Sequence, residues 1–303
     1  MSARLLLFSL TVILVAGCAE ETRFGGNQEF TFLLVEDSTK AVDVSWSPDG
    51  SKLAYATGSE IRFVTPPETQ GNTVSQVQSG LVTAPCWSPD DMARIAYVLI
   101  DSSGVTATIV ESDTLGGGLE TLFVYTRGQL GVGAVEAESL CLDLIMPRYG
   151  DRMYISAVGN VPGIWAIDTT ASAIALVLQG RSPDVDDNDR YLGYSLGTGG
   201  IRVRDMDSLT TDSVSATGLY PTWSPDGTQL SYACADTVNV WSRTTGQLRG
   251  ALMSESVTHL SWRKHPRPYD VAMRLGSDGT VWALNTLLLE STSGGMIPTR
   301  PSD

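Results

Sequence analysis

The residues best suited to chemistry in this chain stand at equivalent positions, Asp43, Asp143, Ser182, Tyr220 and His259, with Arg181 next to Ser182 and the inert Ala84 at the sixth such position. Each stands three residues ahead of a large side chain that recurs along the sequence. Two carboxylates, a phenol, an imidazole and a guanidinium gathered around one pocket would suit a polar ligand or a cation. The same groups could equally form a hydrogen-bonded ring around ordered water. The rest of the inventory is thin. His259 and His265 are the only histidines, so a three-histidine zinc site is impossible, and no Gly-x-Ser-x-Gly segment marks a hydrolase nucleophile. His265 lies in the basic turn Arg263-Lys264-His265, which reads as a solvated loop.

One acidic run needs separate weighing. Asp184, Asp186 and Asn188 match the first three ligand positions of a calcium loop, but Asp189 stands where such a loop needs glycine and Ser195 where it needs glutamate. The repeat described below already explains the run as a turn, so no metal or other cofactor is assigned and calcium stays a lesser alternative. Of the four cysteines, Cys18 lies near the start, and Cys86, Cys141 and Cys234 are an odd set that cannot pair completely within one chain. They read as buried free thiols.

The elements that hold these residues come from a repeat. Trp46–Tyr55 reads WSPDGSKLAY, Trp223–Tyr232 reads WSPDGTQLSY, and Trp87–Tyr97 reads WSPDDMARIAY with one inserted residue. Weaker copies begin at Met146, Val185 and Trp262, so the anchors fall at 46, 87, 146, 185, 223 and 262. In each copy a strand ends at the anchor, a Pro-Asp-Gly turn reverses it, and a second strand follows. A third alternating run comes next, such as IRFV at 61–64 or VNVWS at 238–242, and a looser fourth closes the unit. Four strands in about 40 residues make one propeller blade, so the expected fold is an all-β, six-bladed β-propeller. Trp46, Trp87, Trp223 and Trp262 are expected to pack between blades. The segment 29–35 has no blade of its own and is assigned as the outer strand of blade six. The long interval after residue 87 implies an insertion that includes Gly116-Gly117-Gly118 and 126–139, a candidate functional loop.

The repeats resemble the WD-like propeller repeats of the TolB family over about residues 29–290. That resemblance implies the propeller architecture and leaves function open, because the same blade serves binding proteins, lyases and peptidases. Compared with that family, the chain is expected to lack a separate N-terminal α/β domain and to carry its own lipid anchor. The family's partner, a peptidoglycan-associated lipoprotein, is therefore not carried over.

The anchor is read from the first residues. Arg4 precedes an apolar run of about eleven residues, Leu5 to Val15, too short to span a bilayer and suited to a signal-peptide core. Val15-Ala16-Gly17-Cys18 resembles the bacterial lipobox, which implies diacylglycerol on the Cys18 sulfur and cleavage before it. Ala19 follows, where lipoproteins kept in the inner membrane often have aspartate, so an outer-membrane site facing the periplasm is expected. The predicted organisation is a signal peptide over 1–17, a lipidated tether over 18–28, the propeller over 29–290 and a polar tail over 291–303. A formal charge of −14 argues against nucleic acid as a partner.

The functional expectation is a non-catalytic envelope scaffold that meets another protein, a peptide or a glycan at its channel, using Asp43, Asp143, Arg181, Tyr220 and His259. The alternative is a polysaccharide lyase or hydrolase working at the same channel, for which His259 or Asp143 would supply the base.

Overall fold

A computed structural model describes residues 31–36, 41–89, 93–131, 140–148, 152–158, 162–253, 255–263, 270–276, 279–286 and 289. The signal peptide, Cys18, the tether, His265 and the C-terminal tail lie outside these residues. No helix among the described residues is long and apolar enough to cross a membrane.

The chain folds into a six-bladed propeller of four-stranded antiparallel blades. Blade one comprises β2 (Asp43–Trp46), β3 (Leu53–Ala56), β4 (Glu60–Val64) and β5 (Asn72–Gln76). Blade two comprises β6 (Leu81–Trp87), β7 (Arg94–Ile100), β8 (Thr106–Asp113) and β9 (Glu120–Thr126). Blade three comprises β10 (Asp143–Ile145), β11 (Arg152–Val158), β12 (Pro162–Asp168) and β13 (Ala173–Gln179). Blade four comprises β14 (Arg181–Val185), β15 (Tyr191–Ser195), β16 (Ile201–Asp205) and β17 (Thr211–Ser215). Blade five comprises β18 (Leu219–Trp223), β19 (Gln229–Cys234), β20 (Thr237–Ser242) and β21 (Leu248–Leu252). Blade six takes β22 (Val257–Trp262), β23 (Asp270–Leu275) and β24 (Thr280–Asn285), and its outer strand is β1 (Thr31–Val35), paired antiparallel to β24. The ring is thus closed by a strand from the start of the fold, as the unassigned segment 29–35 predicts.

The first strand of each blade is innermost. These six touch in sequence around the channel, β2 to β6, β10, β14, β18 and β22, and β22 returns to β2. The turn after each anchor follows from its residues. In blade one the Ser47 hydroxyl donates to Asp49 at 2.6 Å and accepts from the Lys52 amide at 2.9 Å, while Asp49 also accepts from the Ser51 amide at 3.0 Å. Gly50 takes φ +65° there, a conformation glycine adopts without steric cost. Ser224, Asp226 and Gly227 repeat the arrangement in blade five.

The four tryptophans are buried to 5% exposure or less and pack against the preceding blade. Trp46 shares a buried cluster with Val281 and Ala283 of β24, Trp87 with Ala54 and Ile61, Trp223 with Ile201 and Val203, and Trp262 with Val238 and Val240. Hydrogen bonds from the residue just before an anchor reinforce these seams. Ser261 Oγ accepts from the Trp46 amide at 3.1 Å, Thr222 Oγ1 from the Trp262 amide at 3.3 Å, and Asp184 Oδ2 from the Trp223 amide at 2.6 Å. Removing the Ser261 hydroxyl as Ser261→Ala strands the Trp46 amide at the seam where the ring closes. We expect a loss of about 1 kcal/mol, read as a lowered melting temperature.

Three expectations need correction. Blade two absorbs part of its extra length as longer strands, of 7, 7, 8 and 7 residues, and Gly116-Gly117-Gly118 form the β8–β9 hairpin turn and not an inserted loop. The remainder falls at 127–142, of which 132–139 lie outside the described residues. The thiols are free, but only Cys141 is buried; Cys86 and Cys234 are half-buried. Arg263 is not solvated: it is 9% exposed and its Nη1 lies 3.2 Å from Asp270 Oδ2.

Candidate functional site: the central channel

The residues three ahead of each anchor do converge on the channel, by two different backbone routes. In β6, β14, β18 and β22 the pairing with the second strand slips at this position. The bulged residues Ala84, Ser182, Tyr220 and His259 have φ between +49° and +54°. An extra residue in an edge strand re-aims its side chain, and bulky residues at positive φ are costly enough to mark a site the fold maintains. In β2 and β10 the register is unbroken, and Asp43 and Asp143 are ordinary first strand residues opposite Ala56 and Ser156.

A cavity of about 150 Å³ opens at the end of the channel built by the turns after the anchors. Asp43 and Asp143 line its inner end, and Trp46, Trp87, Trp223 and Trp262 stand around it. Its rim carries Arg148, Asp187 and Asp189. The candidate residues therefore sit within the channel, and the turns form this mouth. Arg181, Tyr220 and His259 lie outside the cavity lining, yet they are close enough to act electrostatically on the same pair of carboxylates or on one another.

Burial pushes the Asp43 carboxyl well above the usual carboxylate range, and the neighbouring Asp143 carboxyl pushes it further. Asp43 accepts a hydrogen bond from the amide of the following residue, Val44, at 2.8 Å. Asp143 is also raised by burial, against the opposing pull of the Ser156 hydroxyl, which donates to it, of Ser182, and of the Arg181 guanidinium. The Tyr220 and His259 rings lie 4.6 Å apart at 33°. Burial, with the Arg274 guanidinium, lowers the His259 imidazole to about 4, so it is neutral at pH 7. Its Nδ1 is buried without a hydrogen-bond partner. Burial likewise raises the Cys141 thiol, which removes it as a nucleophile near neutral pH.

Arg274 was not among the sequence candidates, though a signal was present. The position after the second-strand aromatic or apolar residue is Ala56, Val98, Ser156, Ser195 and Ala233 in five blades, and Arg274 in the sixth. A cation at an inward strand position marks a polar channel.

The acidic run is the blade-four turn. Asp184 Oδ1 accepts from the Val185 amide at 3.0 Å and Oδ2 from Trp223, while Asp186 Oδ1 accepts from the Arg190 and Tyr191 amides at 2.8 and 2.7 Å. Asp186 thus does for this turn what Ser47 does in blade one, and Asn188 is exposed. No group of three or more His, Cys, Asp or Glu side chains among the described residues is arranged to hold a metal.

No family model and no curated protein matches the sequence. Solved structures do match the fold. TolB from Acinetobacter baumannii aligns at a TM-score of 0.57 and 14% identity over 81% of this chain, which spans 65% of that chain's length. A TolB protein from Agrobacterium tumefaciens, itself described as putative, aligns at 0.56 and 14% identity, covering 80% of this chain and 88% of that one. A luciferin-regenerating enzyme aligns at 0.61 and 10% identity, covering 87% and 97%. At these identities the similarity establishes a TolB-like six-bladed propeller and nothing about chemistry.

Proposed function

We propose that this chain is a bacterial envelope lipoprotein, tethered through lipid on Cys18, whose propeller serves as a binding scaffold without turnover. The observation that carries the binding role is the cavity at the turn end of the channel, floored by Asp43 and Asp143 and rimmed by Arg148, Asp187 and Asp189. Titratable groups held off their ordinary pKa values in a concave site are the usual mark of a ligand site. A rigid closed ring suits the task, because its blades present many turns on one face while the strands stay fixed. The fold similarity to TolB proteins supports an envelope setting, and the lipobox-like segment supports an outer-membrane site facing the periplasm.

Two experiments test the two halves. Metabolic labelling with an alkyne fatty acid should tag the parent protein and leave Cys18→Ala unlabelled; label on Cys18→Ala, or none on the parent, defeats the anchor. For the scaffold, a photo-crosslinking residue placed at Asp187 should capture one discrete envelope component in living cells. The same residue placed at Asp212, on the exposed outer strand of blade four, should not. Equal capture at both positions, or none at either, defeats the mouth as the binding surface. Turnover of a glycan by the purified protein would favour the polysaccharide enzyme instead.

A further inference from the structure

The turn end of the propeller combines charge and apolar surface in a way that points to one kind of partner. Within an antiparallel four-stranded blade, the turn joining strands one and two lies at the same end as the turn joining strands three and four. The cavity mouth therefore shares its face with the turns at 114–119 and 206–210. Leu115 is 90% exposed there, Leu119 60% and Leu209 59%. These leucines stand on the outer turns of blades two and four, where flanking apolar groups of a bound partner could reach them.

The cavity on that face is acidic among the described residues: Asp43, Asp143, Asp184, Asp186, Asp187 and Asp189 line it together with Arg148. Low-dielectric walls focus such a field and draw in the opposite charge. At the inner end Asp43 accepts a hydrogen bond from the Val44 amide, and burial and the Asp143 carboxyl both work against its charge. Beyond it stand the stacked Tyr220 and His259 rings, with the His259 Nδ1 buried and unpartnered. The imidazole is neutral, so it presents a ring and a lone nitrogen and adds no repulsion to an incoming cation. Carboxylates beside aromatic rings are the recurrent surroundings of an ammonium or guanidinium group. The cavity of about 150 Å³ has room for roughly five waters, which suits the end of one long basic side chain.

We propose that this face docks a polypeptide presenting an extended basic segment, and that one lysine or arginine side chain of that segment enters the cavity and is held by Asp43 and Asp143. The proposal rests on the reading of this mouth as a binding surface and gives the occupant's chemistry. Flanking apolar residues of the partner would cover Leu115, Leu119 and Leu209.

The test uses the mature, detergent-solubilised full chain and a tetralysine peptide flanked by leucines as the probe. The tryptophans around the cavity supply the fluorescence readout, with calorimetry for stoichiometry. The expected result is one-to-one binding that weakens with salt, falls at least tenfold in Asp43→Asn/Asp143→Asn, and changes less than twofold in Asp212→Asn. The double variant should melt no lower than the parent, because it removes two carboxylates that burial already opposes. Absence of binding overturns the proposal, as does binding indifferent to the double variant. Spermidine binding as tightly as the peptide would make the site one for a small polyamine, and calcium displacing the peptide one-to-one would make it a metal site; either result overturns it too. Capture of an envelope component at Asp187 alongside failure of the peptide would leave the scaffold standing and remove only this occupant.

Discussion

Replacing Arg263 with methionine is expected to cost about 3–5 kcal/mol of folding stability and to lower the melting temperature by roughly 10 °C. Arg263 Nε donates to Gly50 O at 2.7 Å, its Nη1 reaches Asp270 Oδ2 at 3.2 Å, and its guanidinium lies 4.7 Å from the centre of the Trp46 ring. It therefore clamps blade six to blade one at the seam where the ring closes. Asp270 has no exposed surface, so methionine would leave its carboxylate buried without the guanidinium that balances it. The double variant Arg263→Met/Asp270→Leu should recover much of the loss, since removing both charges removes the desolvation penalty with them. Arg263→Lys should fall between, because one ammonium cannot bond a carbonyl and a carboxylate as the planar fork does. Thermal melts of the four proteins at one pH decide the matter. A loss in Arg263→Met below 1 kcal/mol, or no recovery in the double variant, would sink the clamp.

This clamp also shows where reading the sequence stops. The repeat is legible because turn chemistry is local: Ser47, Asp49 and Gly50 satisfy one another within five residues, so the pattern survives in the letters and gives the blade count. The outer strand of blade six is legible for a related reason, since 29–35 alternates like a strand and has no neighbours to form a blade with. Arg263 occupies the position of Ser47 and Ser224, but its partners are a carbonyl in blade one and an aspartate across its own hairpin. In sequence it is only one of four basic residues between Trp262 and Asp270. Contacts spanning 213 residues, as from Arg263 to Gly50, leave no local trace.

The channel lies between these extremes. Counting back three residues from each anchor does find the ring, but it cannot separate the two routes by which side chains enter. Alanine, serine, tyrosine and histidine carry no signature of positive φ, unlike the glycines of the turns. A signal existed one residue later. Pro85, Pro183 and Pro221 follow three of the four bulged residues, whereas Val44 and Leu144 follow the two unbulged aspartates. Proline cannot donate to a ladder and is confined to edge strands and bulges; the inner strand is the edge of its blade, and in these three blades the proline falls within the slipped pairing. His259, followed by Leu260, lacks even this mark.

His259 should in turn make the parent protein lose stability in acid that His259→Phe retains. An unfolded histidine titrates near 6.5, while burial and Arg274 hold the folded imidazole at about 4. Between these values the unfolded chain binds the extra proton, so stability is full above pH 6.5 and is lost as the pH falls toward 4. The loss attributable to this residue is about 2 kcal/mol by pH 5 and about 3 kcal/mol once the folded imidazole protonates. Asp43 and Asp143 act in the opposite sense. Their folded values are raised, so the folded state takes up protons first and gains stability as the pH drops toward the ordinary carboxylate range. The net acid slope of the parent is therefore shallower than the histidine alone would give, and the difference between parent and variant isolates the imidazole. Phenylalanine keeps a ring against Tyr220, at a constant cost for adopting φ +49°, so the two curves should be offset at pH 7.5 and converge or cross toward pH 4.5. Denaturant melts at closely spaced pH values give the curves, and nuclear magnetic resonance of the two imidazoles, with His265→Gln for assignment, gives the folded titration directly. A His259 titration at or above 6 would show that the imidazole exchanges freely with channel water, and the neutral ring offered to a cation at the inner end would go with it.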